Sequence, residues 1–549
     1  MKRKIVGITV VIMSLFLSFL VVEADKRGYI TDGETEAMSE HNYLVISTLP
    51  AAEKTAVKVT EASKLAIKPE PTAKPKAKIK IKSEPTVKSK DTPKPVSKLV
   101  SQDKRSSSVK KSDNEPEVKV LIMNNGFESL YHDKVIITCA NDFSVTCGKK
   151  KTKYKGGRKL VYRMSKDNLK NKKVTVTSDK GARLRIMSVN RKDIHPMYRG
   201  SIDVKWSKNG YLLINKLPME QYLYAVIPSE MTTSSPLEAL KAQAVCARSF
   251  AYNQIKDGRY EELGADLDDS VSCQVYNNVP EDDKSREAVD MTRGRVMTQS
   301  GEVVLAYYFA TSWGYTADGG DVWGNNIPYI KAKPQVSDNK LRKAQKSIGD
   351  LSDEDDFRSF ISDSAITTYD SGENWYRWSV TFNAKKLSSR IDSALYSCYL
   401  SNPDKVLTQR KNGSYVSKPL KSLGQIKKIR VEKRAESGLV TELVIIGKNN
   451  VVKVCNQYNI RKVLAPVYEN VKGLNGSDVN SAYGLLPSAA FYVDDMTTEN
   501  GIEFRFTGGG FGHGAGMSQT GAIAMAEQHN KYSQILKHYF EGVRIEKIV

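Results

Sequence analysis

The chain has 549 residues, with 84 Lys and Arg against 62 Asp and Glu, and a formal net charge of +22. That length exceeds one compact core and predicts two or three domains. The basic balance suits nucleic acid, an acidic membrane surface or an anionic cell wall, and the lack of zinc-finger spacing or an RNA-binding aromatic signature argues against nucleic acid.

Met1 to Lys4 form a basic head, and Ile5 to Val22 are uncharged and apolar. Val22-Glu23-Ala24 presents small residues where a signal peptidase reads, while the apolar run sits at the lower limit for a membrane span. Residues 1–24 are thus either a cleaved signal peptide or a retained anchor. Both place the remainder outside the cytoplasm. Residues 25–115 are rich in Lys, Pro, Ala, Ser and Thr, as in Ile67-Lys68-Pro69-Glu70-Pro71. Too few apolar residues occur there to build a core, so a disordered linker is expected. It serves either as an electrostatic tether to an anionic surface or as a passive spacer. Six cysteines are too few for a disulfide scaffold of this size. Cys139 and Cys147 could close a small β-loop, Cys246 reads as a small hydrophobe, and no Cys-x-x-Cys pair supports a zinc cluster.

Residues 116–215 read as a β-rich domain. Val118–Met123, Lys134–Thr138, Lys173–Thr177 and Ile202–Trp206 alternate, with turns at Asn125-Gly126 and Asn209-Gly210 between them. Residues 216–335 open with an apolar run, Tyr222 to Ile227. A turn at Pro228-Ser229-Glu230-Met231 and a polar loop to Ser235 follow. A helix is then expected, with Ser235 as N-cap, Pro236 at its first position and Glu238 closing a capping box. Leu237, Leu240, Ala244, Ala247 and Ala251 form an apolar stripe. Lys241, Val245, Arg248 and Tyr252 form another, either a site or a solvated basic face. Asp257-Gly258 is a helix stop. Ser285–Met291 predicts a short helix and Gly294–Phe309 a hairpin turning at Ser300-Gly301. Residues 336–425 read as an inserted lobe. Residues 426–549 supply further strands (Ile426–Val431, Val440–Gly447, Asn450–Val454), a glycine-rich stretch and two closing helices, 518–528 and 533–540. The fold class is α+β: a β-rich N-terminal region plus a mixed α/β core.

Pro228-Ser229-Glu230-Met231, followed by Leu240-Lys241-Ala242-Gln243-Ala244-Val245-Cys246-Ala247-Arg248-Ser249-Phe250-Ala251-Tyr252, resembles the central motif of the SpoIID/LytB family of bacterial cell-wall proteins. Two further stretches occur in the family's order: Tyr308 to Tyr329, and Gly508 to Ala522, which reads GGGFGHGAGMSQTGA. The resemblance implies a lytic transglycosylase of peptidoglycan glycan strands, used in sporulation or wall remodelling. It also implies an alternative, a glycan-binding enhancer of a cell-wall amidase that cleaves nothing itself.

Lytic cleavage needs one acid/base, because the muramic C6 hydroxyl closes on C1 without water, whereas ordinary glycosidases use two carboxylates. Glu230 matches the family's acid. Apolar neighbours would favour its protonated form, and a helix N-terminus with Lys241 and Arg248 would oppose it. By resemblance Lys241 and Arg248 hold glycan or developing charge, the other reading being structural salt bridges. The glycines around His513 allow close backbone approach to a ligand. His513 then contacts a sugar or orients Glu230, with Gln519, Ser312, Tyr315 and Asp321 as further site residues. No cofactor is expected. Some relatives bind zinc through Cys and His before a Gln-Val-Tyr motif. Here only Cys273 precedes Gln274-Val275-Tyr276, so no such metal is expected, and the acids from Asp266 to Asp269 lack EF-hand spacing. Expected partners are peptidoglycan strands, a wall amidase and, through the linker, anionic wall polymers or a membrane surface.

Overall fold

The computed structural model describes residues 115–548 except 167–168, 192–193, 338–345, 364–365, 468 and 481–483. The expected leader and nearly all of the expected linker lie outside the described residues. Among the described residues no helix is long and apolar enough to cross a membrane. The fold is α+β.

The N-terminal β region forms two sheets. One has seven strands, in the order Leu267–Asp268, Glu117–Ile122, Gly210–Pro218, Ser201–Ser207, Lys173–Ser178, Phe143–Cys147 and Lys150–Tyr154. The other has four: Leu160–Arg163, Lys134–Cys139, Leu184–Ile186 and Met197–Tyr198. Alternation fixes the buried face: Val118, Val120 and Ile122 point into the core from one strand, as do Ile202 and Val204 from another. Cys139 and Cys147 carry free thiols, and Cys139 Sγ donates to the Arg183 carbonyl at 3.5 Å.

Strand Gly210–Pro218 runs directly into helix α1 (Met219–Glu230), which is followed by α2 (Leu237–Asp257) and α3 (Asp283–Met291). α2 is the central element, packed by α1, α3 and strand Arg295–Gln299. Every residue from Ala239 to Ala251 is buried, so no solvated basic face exists. A helix buried all round carries a weak amphipathic signal, which is why the two stripes read from sequence do not separate inside from outside. The expected capping box is absent. Pro236 is itself extended (ψ 144°), and its carbonyl takes the first helical N–H groups. Glu238 accepts instead from Lys241 Nζ (2.8 Å) and from the Tyr532 amide (2.8 Å). The helix stops at Gly258, in the left-handed region at φ 64°. The hairpin turns at Ser300 (φ 53°) and Gly301 (φ 83°).

Beyond α4 (Gly319–Trp323) and α5 (Glu354–Ser362), two five-stranded antiparallel sheets are built. Trp378–Asn383 pairs with Gly501–Gly508, and Val406–Gln409 pairs with Val451–Cys455. α6 (Ala384–Ser401) and α7 (Gln457–Val463) pack on each other and against these strands. The boundary expected at 425 therefore cuts across both sheets, because hydrogen-bonded partners lie on either side of it. α8 (Gln519–Glu527) and α9 (Tyr532–Tyr539) return the chain to α2.

Candidate active site

α1 delivers Glu230. The helix continues through Pro228 to Glu230, where a turn was expected. Pro228 has no N–H to donate back to Tyr224, and beside it Ser229 Oγ donates to the Ala225 carbonyl at 2.6 Å. Met231 is extended and closes the helix through Ile227. Glu230 thus stands at the C-terminal, partially negative end of a helix, and not at the entrance of α2.

Glu230 is 2% exposed. Its Oε1 accepts from the Val275 amide at 2.8 Å and from the Tyr308 phenol at 2.9 Å. Its Oε2 is buried and makes no well-formed hydrogen bond to any described residue. Burial pushes the carboxyl up to about 7, while the bonds from Val275, Tyr308 and Gln519 pull the other way. The competition left open by the sequence is decided by desolvation, since neither Lys241 nor Arg248 acts on this group. Burial likewise holds the Tyr308 phenol far above its ordinary value, so it stays a donor. A relay stands behind it: Gln274 Nε2 donates to Tyr308 Oη (3.1 Å), and Tyr222 Oη donates to Gln274 Oε1 (3.2 Å).

Gln519, first residue of α8, donates from Nε2 to the Glu230 carbonyl at 3.2 Å. His513 is buried, accepts from the Ala515 amide through Nδ1 (3.2 Å) and hydrogen-bonds the Tyr308 backbone. Burial and nearby Arg461 push its pKa down to about 3, so the ring is neutral. It supports the strand that carries Tyr308 and does not meet the Glu230 carboxyl.

The remaining expected residues are not gathered here. Arg248 is fully buried and holds Glu220 in a two-pronged pair, at 2.9 and 2.6 Å. Glu220 lies at the far end of α1, about 15 Å along the axis from Glu230 at 1.5 Å per residue. Lys241 is 6% exposed and pairs with Glu238. Both cations therefore follow the salt-bridge reading, because α2 has no open face. Ser312 Oγ donates to the buried Asp370 at 2.6 Å. Tyr315 pairs through its backbone with Pro334, and Asp321 lies in α4, each half-buried. The glycine-rich stretch admits the chain's own backbone where a ligand was expected: a Cβ on Gly516 would stand 2.1 Å from the Tyr307 carbonyl oxygen. The acids before Cys273 are engaged, Asp269 with Arg191 (2.7 Å) and Asp268 with Tyr260 (2.5 Å). Among the described residues no cluster of three His, Cys, Asp or Glu is arranged to hold a metal ion.

Tyr308, Gln274 and Val275 were missed as neighbours of Glu230. Tyr307 and Tyr308 are adjacent in a short extended segment and face different partners, Tyr307 stacked on Trp323 and Tyr308 hydrogen-bonded to Glu230. That alternation was the available signal. The expected groove is not open, because Glu230 lies under the Gln274–Val275 segment and the Tyr308 strand.

A family model described as SpoIID, stage II sporulation protein, matches residues 207–299, and a domain of unknown function (DUF8618) matches 317–516. The chain is 24% identical over 348 residues to stage II sporulation protein D of Bacillus subtilis, covering 61% of this chain and 76% of that one. It is 27% identical over 350 residues to an uncharacterized protein of Brachyspira hyodysenteriae, covering 63% and 72%. It is 25% identical over 332 residues to the amidase enhancer of B. subtilis, covering 59% of this chain but only 40% of the enhancer's length. The matched segment 207–299 holds α1, α2, Glu230 and Val275, and with these relatives it supports a SpoIID-like segment in this chain.

Proposed function

We propose that this protein is an exported peptidoglycan lytic transglycosylase, cleaving the β-1,4 bond between N-acetylmuramic acid and N-acetylglucosamine in sporulation or wall remodelling. The observation that carries the reading is the state of Glu230: one deeply buried carboxyl, pushed up to about 7, with one oxygen bonded by two donors and the other buried without a well-formed hydrogen bond. Two donors on Oε1 leave Oε2 as the place for the proton. The Oε2 proton passes to the glycosidic oxygen of the departing glucosamine as its bond to muramic C1 breaks. The muramic C6 hydroxyl oxygen bonds to C1, and its proton returns to the Glu230 carboxylate. No water is consumed, and the product carries a 1,6-anhydro ring. Glu230 is 2% exposed, so a sugar reaches the carboxyl only when the segments packed over it move aside. The net charge of +22 suits an anionic wall or membrane surface as the setting.

Closure of the site favours a second reading. The relative named amidase enhancer suggests a glycan-binding protein that stimulates a wall amidase without cutting glycan. Incubating the protein with purified glycan strands, stripped and unstripped of stem peptides, separates the two by mass spectrometry. The lytic reading predicts 1,6-anhydro ends from the wild type and none from Glu230→Gln. Reducing ends would overturn the transglycosylase assignment. Amidase stimulation that survives Glu230→Gln, with no cleavage by either protein, would establish the second reading.

A further inference from the structure

Asp370 is fully buried and precedes strand Trp378–Asn383. It accepts four hydrogen bonds: from the Ser312 amide (3.1 Å), Ser312 Oγ (2.6 Å), Ser518 Oγ (2.6 Å) and Thr520 Oγ1 (2.6 Å). A carboxylate removed from water is costly unless it is bonded this fully. It lies at the start of α8, where Ser518 Oγ also accepts from the Gly521 amide at 3.2 Å. The partial positive charge of a helix N-terminus favours an anion there. Gly521 is required by the same packing: a Cβ would stand 2.2 Å from Tyr539 Oη and 3.0 Å from Asp370 Oδ2.

These four bonds reach two short segments, and each segment carries a group that touches Glu230. Tyr308–Phe309 pairs in parallel with Met517–Ser518, and Thr520 N donates to the Ala310 carbonyl at 3.0 Å. Ser312 follows Tyr308 by four residues, and Ser518 and Thr520 flank Gln519. We infer that Asp370 is a positioning residue of the Glu230 site, clamping the 308–312 and 517–520 segments so that Tyr308 and Gln519 are held on Glu230. The segment that supplies it belongs to the region matched by the domain of unknown function, so that region completes the site of the SpoIID segment. For its consequence in catalysis this inference rests on the lytic reading above. Its geometric content does not.

The test is a carbon-13 NMR titration of the Glu230 side-chain carboxyl in the full-length chain, with glycan cleavage assayed in parallel. An amide at position 370 presents a donor among groups that already donate, so the clamp loosens and Tyr308 withdraws from Oε1. Asp370→Asn is expected to raise the Glu230 pKa by about one pH unit, the direction given by loss of a bond to the charged form. In Tyr308→Phe the added Asp370→Asn is expected to shift it much less. A core control, Ile137→Val in the four-stranded sheet, is expected to leave it unchanged. Thr520→Val removes one of the four bonds and is expected to give a smaller shift of the same sign, which covers failure of Asp370→Asn to fold. Folded Asp370→Asn or Thr520→Val with a wild-type Glu230 pKa overturns the inference, as does an equal shift in the control. Absence of anhydro products from the wild type overturns the lytic reading alone, because the shifts are read without activity.

Discussion

The Tyr308 phenol and the Glu230 carboxyl meet at 2.9 Å in the protein interior, and that bond works against the burial that raises the acid. Tyr308→Phe removes it. A hydrogen bond to a charged group contributes about 1.5–3 kcal/mol, so the Glu230 pKa is expected to rise from about 7 by about one to two pH units. The basic limb of the pH profile for anhydro-product formation should move up with it. A basic limb that stays in place would show that Tyr308 does not control the acid.

The same burial makes folding depend on pH. The Glu230 carboxyl has its folded value raised from 4.5 to about 7, so the folded state binds the extra proton between those values. Stability from this group is present below pH 4.5 and is lost as pH rises through about 7, an effect of about 3 kcal/mol. Glu230→Gln removes the dependence. Its stability relative to wild type should therefore improve by about that amount between pH 4.5 and pH 8, as measured by urea unfolding. Two histidines act with the opposite sign. His513 and His538 fall from 6.5 to about 3, so the folded state binds fewer protons, and their contribution is lost as pH drops below 6.5. A relative stability of Glu230→Gln that does not change with pH would show that the acid is ionised in the folded protein at pH 5.

Glu230 was singled out by a resemblance of motif, and most strands were legible because each depends on local sequence. Alternation set Val118, Val120 and Ile122 inward, and Gly258 and Ser300-Gly301 marked their turns. What was not legible depends on pairing over long separations. Arg248 reads as a site cation until Glu220 is seen bonded to it at the far end of α1. Ser312 reads as a sugar ligand until Asp370 arrives from beyond α5. Pro228 reads as a turn, yet the helix runs through it to Glu230, a buried helix end set by packing. The capping box failed because Glu238 found Lys241 and the Tyr532 amide, a partner nearly three hundred residues away.

Arg248 gives a stability prediction that separates structure from catalysis. Removing one partner of a buried pair leaves an uncompensated charge and costs about 3–5 kcal/mol. Arg248→Met should lower unfolding stability by that order, while Glu220→Gln combined with Arg248→Met should recover part of it, because both charges are then gone. Lys241→Met, on a pair whose acid is partly solvated, should cost about 1 kcal/mol or less. Equilibrium urea unfolding measures all three. An Arg248→Met protein of wild-type stability that no longer binds glycan would return Arg248 to the binding surface.

Gly516 tests the ribbon that carries Tyr308. Its φ is +86°, and an added Cβ would lie 2.1 Å from the Tyr307 carbonyl oxygen. Gly301 has a similar φ of +83° with nothing within 4 Å of its would-be Cβ. Alanine at either position bears the left-handed backbone penalty of about 1–2 kcal/mol. Only at 516 does it also force the backbone away from Tyr307, adding about 1–3 kcal/mol of overpacking. Because the next residue, Met517, is the register partner of Tyr308, that displacement draws Tyr308 off Glu230. Gly516→Ala should therefore lose more stability than Gly301→Ala and also raise the Glu230 pKa, which Gly301→Ala leaves alone. Equal stability losses with an unmoved Glu230 in both variants would mean that the close approach at Tyr307 does not hold the acid's partner in place.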